Sequence, residues 1–387
     1  MSTSTPATTT PAGSTTNAPR TGFKERVNGL PKGVKLALWV LFAVFLFLLP
    51  LLNIPFVTTE GSDFGGVLFT VATYVLVALG LNIVVGYAGL LDLGYVGFYA
   101  VGAYTVGVLS AEHASLPWLL SVPIAIAIAM LSGIILGAPT LRVRGDYLAI
   151  VTLGFGEIVR LTLVNTQWLG GAQGISDIPK PPGIELFEVP SIDWSTGAPV
   201  VDLDTTSTFL KFGINDFVPY YWLALVIIGL VVLFDVLVKN SRVGRAWEAT
   251  REDEDVAELM GVPTFRFKLL AFALGAAIGG LSGALFATKS GFINPQSFEL
   301  ILSILFIAAV VVGGAGNRWG IIVGAIVVSY FPERFREFAD FRVLVFGLAL
   351  MLLAIFRPQG ILPPRRTLRA KKADERQAIL EEGEASA

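Results

Sequence analysis

Glu157 and Arg160 stand three residues apart inside an apolar run. On a helix that spacing puts them on one face, where they can neutralise each other. Charges inside a membrane span are expensive and usually turn toward a cavity or a partner. The pair therefore reads either as a polar wall along a substrate path or as a structural ion pair holding two helices in register. Asp92 is a third intramembrane candidate. It lies where two apolar runs meet, among Gly86, Gly89, Gly94, Gly97 and Gly102. Glycine weakens a helix, so a broken or re-entrant helix is expected there. Asp235, near a span end and on the same face as Lys239, reads as an ordinary end-of-helix charge.

The densest charge is in NSRVGRAWEATREDEDVAELMGVPTFRFK, Asn240 to Lys268, which is flanked by hydrophobic segments of spanning length. The residue types predict a helix from Trp247 to Met260, stopped by Gly261 and Pro263. Arg242, Arg245 and Arg251 lie toward its start. Glu252, Asp253, Glu254, Asp255 and Glu258 crowd its middle. A solvated loop helix is the ordinary fate of such a run. Val256, Leu259, Met260 and Val262, however, give it an apolar side that water alone would not reward. It reads as a handle for a partner.

Several chemistries are absent. No Gly-Lys dipeptide occurs, so there is no P-loop. With no cysteine and His113 as the single histidine, thiolate and histidine metal sites are excluded, and no Ser-His-Asp arrangement is credible. His113, beside Glu112 between two spans, reads as a loop residue. A net charge of −2 gives no pointer to nucleic acid. No catalytic residue, cofactor or metal is expected. An integral-membrane enzyme would need clustered Asp, His or Lys at a membrane face, and only Arg142, Arg144 and Asp146 come together.

The elements that must hold these residues follow from composition. The 387 residues are 54% hydrophobic and 15% charged, well below the roughly 25% charge of soluble domains. The apolar runs are continuous rather than alternating, so helices and not a barrel span the bilayer. The expected fold is all-α, a polytopic bundle of about ten transmembrane helices. Expected spans lie near 36–54, 65–85, 93–111, 117–140, 147–165, 219–238, 269–289, 299–315, 319–332 and 342–357. An even number with both termini in the cytoplasm places 21 of the 28 Lys and Arg inside, as the positive-inside rule favours. Residues 1–35 read as a disordered Ser/Thr/Pro-rich tail, 36–358 as the transmembrane domain, and 359–387 as a cytoplasmic tail whose basic half can rest on anionic lipid. The segment 166–218, with five prolines, reads as an ordered external cap. In the seventh span Gly275, Gly279 and Gly283 form one row of small residues, and Ala276, Gly280 and Ala284 the next. Such rows let helix backbones approach closely.

These residues resemble a family. LNIVVGYAGLLDLGYVGFYAVGAY (81–104), LRVRGDYLAIVTLGFGEIVRL (141–161), the charged loop running on to Leu285, VVGGAGNRWGIIVGA (311–325) and FRPQGILP (356–363) are similar to the permease subunit of bacterial branched-chain amino-acid ABC importers, the LivM-like branch. The resemblance implies a multi-pass inner-membrane transport subunit without ATPase activity of its own. The implied partners are a second permease (a shorter relative), two ABC ATPase subunits and an extracytoplasmic binding protein. The charged loop is similar to that family's E-A-A loop, which docks on the ATPase. Asp255-Val256-Ala257, three residues and then Gly261 fall on its pattern, departing at Asp255 and Val256. Arg245, Glu248, Arg251, Glu254, Asp255, Ala257 and Gly261 are then the expected ATPase-coupling residues. Asp92 and Ile321 also depart from the family's usual residues. A urea or short-amide permease is the alternative within transport. A stand-alone secondary transporter, using Glu157 and Arg160 as its ion site, would leave the charged loop unexplained.

Overall fold

The computed structural model describes residues 32–51, 64–112, 115–142, 147–183, 188–193, 200–208, 212 and 217–334, with short pieces at 347–348, 351, 355–357 and 359–362. Contacts divide the chain into two units, residues 1–52 and 53–387. The first contains helix α1, Lys32–Leu48, whose Val40, Leu41, Phe42 and Phe45 are all exposed, as a lipid-facing helix requires.

The second unit is a helical bundle with one small hairpin. Its elements are α2 (Phe64–Leu81), α3 (Tyr95–Gly107), α4 (Trp118–Thr140), α5 (Tyr147–Asn165), strands β1 (Glu188–Asp193) and β2 (Val200–Thr208), then α6 (Val218–Asn240). The short α7 (Arg242–Glu252) and α8 (Glu254–Leu259) follow, then α9 (Thr264–Ser290), α10 (Leu300–Gly313) and α11 (Arg318–Arg334). Among the described residues six helices are long and apolar enough to cross a membrane, and Tyr95–Ala111 is a shorter apolar one. Nine of the ten expected spans coincide with a helix, and the segment 342–357 falls mostly outside the described residues. Strands β1 and β2 pair antiparallel, Glu188 opposite Thr208, and depart from the all-α expectation.

Two helices form the centre. In the apolar 18-residue stretch of each span, buried residues make up 83% in Phe64–Tyr87 and 67% in α9, against 22% in α6. Helix α9 packs on α2, α3 and α4, and α2 also meets α6, α10 and α11. The outer helices carry exposed Leu131 and Ile135 on α4 and Leu230 and Leu237 on α6. These are faces that hydrocarbon solvates at no cost.

The glycine cluster marks a real interruption. Helix α2 widens into a π-helical turn at Asn82–Tyr87, residues 88–94 are irregular, and α3 begins at Tyr95. The Tyr95 hydroxyl donates to the Gly275 carbonyl at 2.7 Å, well along α9, so α3 starts inside the bundle. Irregular backbone at that depth survives only where protein satisfies it. Leu93 N–H donates to Thr152 Oγ1 at 3.0 Å, Ser303 Oγ donates to the Leu93 carbonyl at 2.6 Å, and Gly94 N–H donates to Asp92 Oδ1 at 3.0 Å.

At the end opposite α7 and α8, Ile175 and Ile293 exchange backbone hydrogen bonds of 2.9 and 3.0 Å. This strap ties the exit of α5, at the start of the segment 166–218, to the exit of α9.

Candidate functional site

The predicted single helix Trp247–Met260 is two helices, because Asp253 breaks it. Asp253 adopts an extended backbone (φ −156°, ψ 112°), and its Oδ1 accepts the Val256 N–H at 3.0 Å. That is an N-cap, which satisfies one of the orphan donors at a helix start. Ser241 caps α7 in the same way through the Val243 N–H at 3.1 Å. Gly261 ends α8 at φ +85°, a left-handed conformation that a side chain would strain.

The two helices hang on the bundle by one side. Trp247 is fully buried and donates its Nε1–H to the Phe267 carbonyl at 2.6 Å. Glu254 is paired with Lys268, so α8 is tied to the first turn of α9. Ala257 is buried against this junction. The opposite side is bare: Leu259 is 88% and Met260 80% exposed, with Val256 beside them and the carboxylates of Glu252, Asp253, Asp255 and Glu258 around them. This leaves an apolar knob ringed by acid on the free side of α8. Arg245 is exposed and its Nη1 reaches back to the Asn240 carbonyl at 3.3 Å, while Glu248 is half-buried.

Arg251 differs from its neighbours. Its guanidinium points inward and donates to the Gly86 carbonyl at the end of α2's π-turn. It joins a polar cluster that sequence reasoning did not assemble. Asn82 Oδ1 accepts the Gly316 N–H at 2.9 Å, and Lys239 Nζ donates to the Gly316 carbonyl at 3.0 Å while lying 4.6 Å over the Tyr87 ring. The Tyr87 hydroxyl donates to Asp235 Oδ2 at 3.1 Å, and Arg318 Nε sits 3.2 Å from the same oxygen. Asp235 is therefore no ordinary end-of-helix charge. It is 2% exposed and joins α6 to the end of α2 and the start of α11. The available signal was a polar residue, Asn82 or Asp235, in each of two apolar runs. Nothing in their spacing says that they share Gly316 and Arg318.

The intramembrane candidates separate. Asp92 is buried in the interrupted segment, where its Oδ1 accepts the Gly94 N–H just before α3 begins. Glu157 and Arg160 lie near the middle of α5 and, among the described residues, their side chains hydrogen-bond within that helix, with Arg160 Nε 3.0 Å from Glu157 Oε2. The ion pair itself thus lies within one helix, and both side chains remain partly exposed.

The small-residue rows of α9 face three neighbours. A Cβ built on Gly275 would meet Val84, one on Gly279 the Tyr95 ring at 3.2 Å, and one on Gly283 the Tyr99 carbonyl oxygen at 1.9 Å. Gly280 faces Ala129 of α4, and Gly102 of α3 abuts the Gly280 backbone. Among the described residues no group of His, Asp or Glu could hold a metal ion.

Comparison with known proteins places this geometry among others. Residues 64–355 match the family model described as branched-chain amino acid transport system / permease component. The chain is 42% identical to the high-affinity branched-chain amino acid transport system permease protein LivM of Escherichia coli (strain K12), over 83% of this chain and 75% of the relative. It is 25% identical to the probable branched-chain amino acid transport permease protein LivM of Methanocaldococcus jannaschii, over 76% of this chain and 91% of the relative. It is also 25% identical to the permease protein LivH of the same Escherichia coli strain, over 75% of this chain and 91% of that protein. No solved structure matches the chain.

Proposed function

The chain belongs to the family of permease components of branched-chain amino acid transport systems, and from that premise we propose how its geometry works. It is a multi-pass inner-membrane permease subunit of an ATP-driven importer for branched-chain or similar hydrophobic amino acids. The observation that carries the coupling mechanism is the knob of Leu259 and Met260, held outside the bundle by a helix whose other side is anchored.

In this reading the α7–α8 end faces the cytoplasm, both termini lie on that side, and a separate ABC ATPase takes the knob into a groove. The chain, lacking a P-loop, leaves ATP hydrolysis to that partner. A second permease, two ATPase subunits and an extracytoplasmic binding protein complete the machine. The likeness of this chain to both LivM and LivH proteins supports a second permease of related fold.

Two linkages carry motion inward. The Glu254–Lys268 pair and the Trp247–Phe267 bond move α9, whose glycine rows hold it close to α2, α3 and α4. Arg251 acts on α2 through Gly86. Packed interfaces change state rather than deform continuously, so displacement of α8 switches the central helices between outward and inward access. Glu157, Arg160 and Asp92 are the polar residues assigned to the route or its walls.

The test is reconstitution. Proteoliposomes holding this chain, the second permease and both ATPases, supplied with the binding protein, are expected to take up leucine, isoleucine and valine only with ATP. Uptake without ATP or without the ATPases would overturn the reading.

A further inference from the structure

Glu157 is the eleventh of nineteen residues in α5. At ~1.5 Å per residue, about 15 Å of helix precedes it and about 12 Å follows. It therefore stands near the middle of the helix. Its side chain is 40% exposed and that of Arg160 24%. Arg160 lies closer to an end and could extend toward the headgroups. Instead it folds back on Glu157, with its Nε 3.0 and 3.2 Å from the two carboxylate oxygens and Nη2 2.5 Å from Oε1. The pair lies between the buried side of α5, at Thr152 and Gly156, and its exposed side, at Ile158 and Leu161.

A half-exposed ion pair at that depth is costly against hydrocarbon, so this flank faces either water or protein. Among the described residues the pair makes no hydrogen bond to a second helix, although the Glu299 carboxylate at the start of α10 also attracts Arg160. What remains is its chemistry. Glu157 engages Arg160 through Nε and Nη2, which leaves the Nη1 edge of the guanidinium outside the pair. An amino acid crossing the membrane is a zwitterion and needs a cation for its carboxylate and an anion for its ammonium. Glu157 and Arg160 supply both side by side, and a guanidinium grips a carboxylate with directed, charge-assisted bonds. The pair is neutral overall, as is the substrate. Partners can be exchanged without net charge entering the bilayer, and the weak hold lets the substrate leave.

We propose that Glu157 and Arg160 form a zwitterion-exchange station on the translocation path, Arg160 taking the α-carboxylate and Glu157 the α-ammonium of the passing amino acid. This rests on the permease reading, and α5 then lines the route where it meets the second permease.

The experiment uses the complete importer in proteoliposomes with its binding protein. Wild-type complex that shows no ATP-dependent uptake would defeat the permease reading itself. Given wild-type uptake, Glu157→Gln and Arg160→Gln are each expected to lower it about tenfold or more, the scale of a lost charge-assisted bond. The double variant should recover nothing, because a station needs both charges. Normal uptake in either single variant, or recovery in the double, would show that the pair only satisfies itself and would overturn the proposal. If the neutral variants fail to assemble, the exchange Glu157→Arg with Arg160→Glu decides. It keeps the pair but inverts the station, so wild-type uptake in that variant also overturns the proposal and impaired uptake supports it. The chain has no cysteine, so Leu161→Cys, one turn away, reports its surroundings. Modification by a charged, water-soluble thiol reagent, slowed when substrate-loaded binding protein is present, is expected. No modification in either state of the transport cycle would place this flank against lipid or protein and overturn the proposal.

Discussion

Arg251, on the short helix α7 outside the bundle, donates a guanidinium hydrogen bond to the main-chain carbonyl of Gly86, 165 residues earlier in the chain. The contact fits closely, since a Cβ on Gly89 would lie 2.8 Å from Arg251 Cγ and one on Gly316 3.0 Å from its Nη1. One side chain thus touches the end of α2 and the turn before α11. The acceptor is a carbonyl at the end of a π-helical turn, where the helix leaves such groups unpaired. Arg251 reads in sequence as one more charge offered to a partner. In the fold its guanidinium is bonded to the bundle instead.

Replacing Arg251 should separate docking from transport. Arg251→Ala is expected to keep the ATPase bound, since the exposed knob is untouched, yet lower uptake by about tenfold. The direct cost in stability should be about 1 kcal/mol, because the bond is only partly buried and water can replace it. Co-purification of the ATPase measured beside uptake checks both parts, and a variant with normal uptake would remove Arg251 from the linkage.

Asp235 should matter more for stability than for docking. Arg318, whose side chain is 15% exposed, would be left unpaired by Asp235→Ala. Breaking a buried pair from one side costs about 3 kcal/mol or more. The expected result is a clearly lower unfolding temperature in detergent, partly regained in the double variant with Arg318→Leu. Thermal scans on the four combinations form a double-mutant cycle, and simple additivity would mean that the two charges do not interact.

The knob should be the site of ATPase association. Leu259→Glu and Met260→Glu place charge where little is buried, so the isolated chain should insert and fold as before while losing the ATPase. Asp255→Lys is a cleaner charge probe than Glu254→Lys, because Glu254 also holds Lys268. Wild-type ATPase binding by Leu259→Glu would move the docking surface elsewhere.

Glycines on α9 should rank by what their missing Cβ would strike. Gly283→Ala presses on the Tyr99 carbonyl at 1.9 Å, whereas Gly279→Ala meets a ring at 3.2 Å that can give slightly. Overpacking costs about 1–3 kcal/mol, so Gly283→Ala is expected at or above that range and Gly279→Ala at its foot. Gly154 on α5 has nothing within 4 Å and should accept alanine without loss. Detergent unfolding temperatures in any other order would contradict this account of the packing.

Much of the architecture was written in short-range patterns. Continuous apolar runs are enough to locate α2, α4, α5, α6 and α9, because a spanning helix satisfies its own backbone wherever it sits. The small residues of α9 announce close approach, and the glycines from Gly86 to Gly102 announce the interruption between α2 and α3. The charged loop announces itself by contrast with its flanks. The split at Asp253 did not, because an aspartate inside an acidic run looks the same whether it caps a helix or continues one.

By itself, the sequence determined that the chain crosses a membrane as helices, carries no P-loop motif and holds one strongly charged helical element between two apolar spans. Those properties depend on residue types within a few turns of each other. Only the tertiary structure decided which polar groups meet: Asn82 with Gly316, Asp235 with Tyr87 and Arg318, Arg251 with Gly86. Such partners lie up to 234 residues apart. Their bonds are short-ranged and directional, so they exist only after apolar packing has brought the helix ends together.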